Sequence, residues 1–287
     1  MKKIKLILLS FLACGSLVAS DFKSDITFNG SSSLAPVISK ISSDFISEYQ
    51  TWDKVNSNFT NTKINIYVSS GGSGTGIKSV VDKVSDFGMV AREVKDSEKA
   101  KMSKYQEFIL AQDALTISLN KDNPYLNYYK DISTQTLQKI FSGEYKYWSD
   151  IDKRLDNKEI VVVVRDLGGG AHEVFQKSVM KDLEVKEDVI IAPSMGALVK
   201  KITENKYAIG YASFGVYNQN KDKLEALNVD GIEPSVENIL NNSYFIKRPL
   251  LVIKDGDLSE QEKAFIDYIY SKKGKKSISD NGYIPVK

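Results

Sequence analysis

Ile160-Val161-Val162-Val163-Val164-Arg165-Asp166-Leu167-Gly168-Gly169-Gly170-Ala171-His172-Glu173 runs from an unbroken apolar stretch, through a small-residue loop led by an arginine, into a helical pattern. A strand apolar at every position suits a sheet covered on both faces, which means a mostly parallel sheet with helices on either side. The same succession occurs twice upstream. Asn29-Gly30-Ser31-Ser32-Ser33 follows the strand-like Ile26–Phe28 and opens a helix with Leu34, Ile38, Ile41 and Phe45 on one face. Ser69-Ser70-Gly71-Gly72-Ser73-Gly74-Thr75-Gly76 follows Ile64–Val68 and opens a helix with Ile77, Val81 and Val84 on its apolar face. Further strand-like runs stand at Ala114–Leu119, Ala208–Ala212 and Leu250–Ile253, so strands alternate with helices in the α/β manner.

The length, 287 residues, exceeds the usual ~100–200 residues of one domain and predicts two lobes. There is no repeat, low-complexity tract or Pro-rich linker, so the chain is expected to cross between lobes through strands, near Gln112–Ala114 and Tyr244–Arg248. With 42% hydrophobic and 26% charged residues the composition is that of an ordinary globular protein. One His and one Cys cannot supply the ligands of a zinc site or an internal disulfide, so no metal and no cofactor is expected.

The first residues read as an address. Lys2, Lys3 and Lys5 precede an uncharged run from Leu6 to Val18, followed by Ala19 and Ser20, which is the layout of a cleaved signal peptide over residues 1–20. The run is too short to span a bilayer, which needs ~20 apolar residues. Phe11-Leu12-Ala13-Cys14-Gly15 offers a second route, lipidation at Cys14; simple release into the periplasm is the preferred reading. Removing the three leader lysines from 39 bases leaves 36 against 37 acids, a net charge of −1 that gives nucleic acid nothing to hold.

The three loops share one chemistry. The first N–H groups of a helix lack partners and carry partial positive charge, so they attract an anion; glycine admits close approach and Ser or Thr adds hydroxyl donors. Ser and Gly are also ordinary capping and turn residues, and one such loop alone would mean little. Three in the same strand–loop–helix setting, one led by an arginine able to grip an oxyanion through two N–H bonds, exceed what capping requires. Neighbouring motifs fail on detail. Gly71 to Ser79 approaches a P-loop, but Ile77 separates Gly76 from Lys78; a serine hydrolase would need His172 as base and finds no Gly-x-Ser-x-Gly elbow.

These residues resemble the periplasmic phosphate-binding proteins that feed ABC transporters, from Ile26 to Pro285. The stretches that carry the likeness are Gly30–Ser33 with Ala35-Pro36, Ser70–Ile77, Asp86–Met89 with Arg92-Glu93, and Ile140–Gly143 with Trp148–Asp150. Further along come Val164-Arg165, Ala208–Tyr211, Asp230-Gly231 with Pro234-Ser235, Arg248–Leu250 and Gly282–Pro285. The resemblance implies the type II periplasmic binding protein fold: two α/β lobes, each a mostly parallel sheet flanked by helices, with one oxyanion in the cleft between them. Lobe I would comprise residues 21–112 plus 248–287 and lobe II residues 113–247. It implies a non-catalytic monomer that captures inorganic phosphate and delivers it to a membrane permease. By position, Ser31, Ser32 and Ser33 would offer N–H and hydroxyl donors, Ser73, Gly74 and Thr75 the second helix start, Arg165 the cationic donor, and Gly169, Gly170 and Ala171 the third.

The chain departs from the family twice. The third loop usually reads Gly-Ser-Gly-Thr, whereas Gly168-Gly169-Gly170-Ala171 has neither hydroxyl. After Met89, where the family carries Ser or a proton-accepting Asp, stand Val90-Ala91. Losing two or three hydrogen bonds to a charged ligand, at ~1.5–3 kcal/mol each, would weaken binding by orders of magnitude without replacements. Another oxyanion, a phosphate-ester hydrolase, or a secreted adhesion or signalling protein that has lost its ligand are therefore alternatives. Asp166 either orients Arg165, accepts a ligand proton or is a plain surface carboxylate. His172 either contacts ligand, titrating near ~6.5, or faces solvent in a first helical turn, the commoner situation of such positions. Arg92 and Arg248 are assigned to structure or the rim, and Tyr125, Tyr128 and Tyr129 to packing.

Overall fold

The computed structural model describes residues 22–286; the expected leader at 1–20 and the Cys14 box lie outside the described residues, as do Asp21 and Lys287. The strands are β1 (Asp25–Gly30), β2 (Asn65–Ser70), β3 (Phe87–Val90), β4 (Tyr105–Asn120), β5 (Asp131–Ile132), β6 (Val161–Arg165), β7 (Ile190–Ala192), β8 (Ala208–Ser213), β9 (Leu224–Val229), β10 (Lys247–Asp255) and β11 (Ile284–Pro285). The main path runs β2-β1-β3-β10-β4-β8-β6-β7, with β11 and β9 joined to β4 and β5 to β9.

At both ends of this path the pairing is parallel: β1 with β2 and β3, and β6 with β7 and β8. In the middle it is antiparallel, and there β4 passes from one lobe to the other. Its residues 105–114 pair with β10, while 115–120 pair with β8 and β9. The changeover is fastened by Leu115 N–H donating to Ile246 O at 2.8 Å, one residue before β10 begins.

Two large cores result. One gathers Ile26, Phe28, Leu34, Ile38, Phe45 and Trp52 with Leu110, Ala111, Leu250, Phe265 and Tyr283. The other draws its buried residues from Ala114 to Ile246, with Ile284 added from the C-terminus. A smaller cluster of Ile77, Val80, Val90, Val94, Met102, Leu251 and Ile253 covers the opposite face of the first sheet. Each buried aliphatic or aromatic side chain contributes about 1.5–3 kcal/mol relative to exposure. The molecule is thus a two-lobed α/β protein with layered sheets. The helix Ala35–Tyr49 buries the expected stripe of Ile38, Ile41 and Phe45. The helix Ser73–Val81 is shorter than the periodicity predicts: Lys83 adopts φ +57°, the chain leaves the helix, and Val84 lies exposed rather than on its apolar face. Among the described residues no helix is long and apolar enough to cross a membrane.

Candidate functional site

The first loop closes β1 against β3. Gly30 has φ +134°, and a Cβ there would stand 2.2 Å from Met89 O, so only glycine admits this approach. Ser31 then donates its N–H to Met89 O at 2.8 Å, and its hydroxyl accepts from the N–H groups of Ser33 and Leu34, each at 3.3 Å. The expectation that Ser31 offers its N–H to a ligand is therefore corrected: the pairing that anchors the loop to β3 uses that donor. Ser33 is fixed from behind, its hydroxyl accepting from Arg248 Nη2 at 3.0 Å and its carbonyl from the Tyr283 hydroxyl at 3.0 Å.

Arg248 and Asp113 stand opposite each other on the β4–β10 ladder and are almost wholly buried. Arg248 Nε donates to Asp113 Oδ2 at 2.8 Å, Nη1 reaches Ala91 O at 3.3 Å, and Asp113 Oδ1 accepts from Phe214 N–H at 2.9 Å. A buried ion pair held this fully is costly to break from one side.

The second loop begins with Gly72 at φ +105° and presents Ser73, whose hydroxyl accepts from Ala91 N–H at 3.0 Å. Gly74 donates its N–H to Gly168 O at 3.3 Å, across to the third loop, so it is a contact between lobes and not the free donor expected of it. Thr75 is exposed, with its hydroxyl donating back to Gly71 O at 3.0 Å. Within the first turn of the helix, its side chain folds back on its own loop and gives its hydroxyl proton to Gly71 O; the expectation that it donates to the ligand is corrected.

Arg165 ends β6 with its side chain 3% exposed. Nε and Nη2 donate to Asp166 Oδ1 at 3.0 and 2.6 Å, Nε also to Ala192 O at 3.1 Å, and Nη2 to Pro193 O at 3.2 Å. One edge of the guanidinium is thus clamped in its own lobe, Asp166 taking the orienting role among those open to it. Nη1 projects the other way and donates to Ser32 Oγ at 2.9 Å, which also accepts from Met195 N–H at 3.2 Å. With both acceptor positions of Ser32 engaged, its single hydroxyl proton is what it has left to give. The Arg165 N–H itself donates to the Tyr211 hydroxyl at 2.9 Å.

Two glycines of the third loop are crowded by what surrounds them. A Cβ on Gly169 would lie 2.9 Å from Arg165 Nη2, and one on Gly170 would lie 2.4 Å from Ser73 Oγ and 3.0 Å from Ala91 O. Gly169 N–H turns inward to Asp166 O at 2.9 Å, which corrects its place among the ligand donors. His172 is buried, not solvent-facing, with Nδ1 3.4 Å from the Tyr211 hydroxyl. Burial lowers its pKa below the ordinary histidine value, against the pull of Asp166 and Glu173 and with the push of Arg165. The neutral imidazole therefore prevails at pH 7.

The N–H groups of Ser32, Ser73, Gly170 and Ala171 have no hydrogen-bond partner among the described residues. They belong to three helix starts from two lobes, brought together by the Gly170–Ser73 approach and by Arg165 reaching Ser32. Donors without acceptors, beside a guanidinium, make a cradle for an oxyanion. Sequence reasoning placed Arg248 at the rim or in the framework and overlooked Asp113 and Tyr211. The signal for Asp113 was present, a lone carboxylate in the apolar run Leu110 to Leu119.

Comparison with known proteins gives the family and the fold. The PBP superfamily domain matches residues 18–273. The phosphate-binding protein PstS of Staphylococcus haemolyticus is 32% identical over 278 residues, covering 92% of this chain and 82% of that protein. The corresponding protein of Staphylococcus epidermidis is 30% identical over 284 residues, covering 94% and 81%. Among solved structures, a candidate phosphate ABC transporter substrate-binding protein of Clostridium perfringens, solved with bound phosphate, superposes with a TM-score of 0.79. It is 30% identical, covering 92% of this chain and all of that one. An ABC-type phosphate transport receptor of Vibrio cholerae shares the fold, with a TM-score of 0.68, 24% identity and coverage of 90% and 99%. On the family profile, the identity to curated relatives over about four-fifths of their length and the common fold, the chain belongs to the periplasmic phosphate-binding proteins of the PBP superfamily.

Proposed function

We infer that the chain captures inorganic phosphate between its lobes, outside the cytoplasm, and hands it to an ABC transporter permease, acting as a monomer and catalysing no reaction. The reading is carried by one observation: Arg165, clamped on one edge in its own lobe, aims the other at Ser32, beside four helix-start amides without acceptors. It is supported by the phosphate bound to the Clostridium perfringens protein and by the names of the staphylococcal relatives. Ser32, Ser33, Ser73, Arg165, Gly170 and Ala171 then contact the anion, while Ser31, Gly74, Thr75, Asp166, Gly169 and His172 shape the loops. Residues 1–20 act as the export leader, and lobe I comprises 21–112 plus 248–287 with 113–247 as lobe II, in keeping with the division between the cores. Phosphate binding shifts an open–closed equilibrium, because only the closed form lets both lobes donate to one anion.

A second reading, the same cradle tuned to another tetrahedral oxyanion, is favoured by Ala91, Gly169 and Ala171, which carry neither the hydroxyls nor the free carboxylate found in the family. Thermal unfolding of the mature chain against phosphate, arsenate, sulfate, molybdate and a phosphonate separates the two. A ligand at a hundredfold excess over its Kd adds about 2.7 kcal/mol, a shift of a few degrees. Phosphate and arsenate should raise the unfolding temperature and sulfate should not. A shift with molybdate or sulfate alone would select the second reading, and none with any anion would discard both.

A further inference from the structure

Arg92, two residues beyond the end of β3, has its side chain only 5% exposed. Within its own lobe Nη1 and Nη2 donate to Glu98 Oε2 and Oε1, each at 2.8 Å, and Nη1 also donates to Glu93 O at 2.9 Å. Its remaining edge leaves that lobe: Nε donates to Glu173 Oε1 at 2.9 Å, and Lys95 Nζ meets Glu173 Oε2 at 2.6 Å. Glu173 lies in the helix Gly170–Phe175, directly after His172, so it is rigidly joined to the loop that carries Gly169 and Gly170. Its carboxylate is held by two cations of the opposite lobe.

We propose that Glu173 is a closure latch: a positioning residue that never touches the anion and sets its affinity by holding the two lobes together through Arg92 and Lys95. The proposal rests on the reading that both lobes grip one anion. Its physics follows from what opening leaves behind. When the lobes part, Arg92 keeps Glu98 and the Glu93 carbonyl, and Glu173, a quarter exposed already, returns to water. No charge is left buried without a partner, so the latch favours the closed state without destabilising the open one. A charge-assisted bond to a nearly buried guanidinium outweighs an ordinary surface pair. Because the apparent affinity scales with the fraction of closed protein, the increment passes directly into Kd. Encounter with the open form does not use the latch, so the change falls on the dissociation rate.

The test is Glu173→Ala in the full mature chain, with inorganic phosphate followed by calorimetry and stopped flow. Kd and koff should both rise about five- to twentyfold while kon stays within about twofold and unfolding without phosphate is unchanged. Glu173→Gln, which keeps an acceptor for Arg92 but loses the charge, should fall between. The gap between wild type and Glu173→Ala should narrow in 0.5 M sodium chloride, where the screening length is about 4 Å. Glu144→Ala removes an ion pair to Lys139 inside one lobe and should leave Kd alone. Wild-type Kd and koff in Glu173→Ala would overturn the proposal, as would an affinity loss matched by a lower unfolding temperature without phosphate. If the wild type binds no phosphate, small-angle scattering decides: a larger radius of gyration in Glu173→Ala keeps the latch while discarding the anion, and equal radii discard both.

Discussion

Two arginines approach the first loop from opposite sides. Arg248 and Arg165 both emerge from strands, both are nearly excluded from water, both are paired with an aspartate, and each donates to a serine hydroxyl of the same loop, Ser33 and Ser32 respectively. They differ in where the aspartate stands. Asp113 faces Arg248 across the β4–β10 ladder, fully buried, so that this pair belongs to the framework at the crossing. Asp166 follows Arg165 directly in sequence, with its side chain about one-third exposed, and holds one edge of the guanidinium while the other reaches into the facing lobe. The same chemistry thus fixes the loop on one side and senses it on the other, according to whether the bond crosses the cleft.

The sharpest test of that contrast is Arg165→Ala. Phosphate affinity should fall by about a thousandfold or more, some 4 kcal/mol, with near-wild-type unfolding in the absence of phosphate. Retained affinity in calorimetry would erase the distinction between the arginines. Arg248→Ala should do the reverse and strike the fold, leaving Asp113 buried without its cation at a cost of about 3 kcal/mol in denaturant unfolding. Loss of binding with stability intact would place Arg248 in the site instead. Gly170→Ala acts on the Arg165 side alone. Its methyl group meets Ser73 Oγ and Ala91 O, so it should impede closure and weaken phosphate about tenfold without lowering the unfolding temperature of the free chain.

The smallest expected effect concerns His172, next to the third loop. Because burial holds its folded pKa below the unfolded value of ~6.5, its contribution to stability is fully present above that pH. It is lost as pH falls from ~6.5 toward the folded pKa, where the unfolded chain takes up a proton that the folded one resists. Stability should therefore decline on acidification through that window, and His172→Gln should flatten the profile. An identical pH profile in the variant would show that the imidazole is not the titrating group.

Much of this was legible in the residues. The apolar run Val161–Val164 marks a strand because burial on both faces leaves no alternation to misread, while Ile26 and Phe28 mark another by alternating with Thr27. Residues 105–113 of β4 escaped notice because Gln106, Glu107, Gln112 and Asp113 interrupt the apolar character and the register against β10 shifts at Leu250/Leu251. The three helix starts were legible as donors, yet which donors are already engaged was not. Ser31, Gly74 and Gly169 give their N–H groups to Met89, Gly168 and Asp166, and two of those carbonyls belong to distant segments. The loss of hydroxyls from the third loop read as a depletion; the structure adds that at Gly169 the Arg165 guanidinium stands 2.9 Å from where a Cβ would be. The Arg248–Asp113 pair joins residues 135 positions apart, a relation set by register alone.

The position of β10 between β3 and β4 bears on the order in which the molecule can assemble. Strands β1, β2 and β3 are made first, but they reach β4 only through a strand that begins at Lys247. The core drawn from Ala114 to Ile246 is complete but for Ile284 before that strand exists, whereas the core containing Phe28 and Phe45 waits for Leu250, Phe265 and Tyr283. As the chain emerges from its N-terminal end, the half translated in the middle can therefore fold first, and the half that begins the chain folds last. Such distant pairings are slow, and a chain stopped before Lys247 would carry three strands and two amphipathic helices cut off from the rest of the sheet, a substrate for chaperones and proteases.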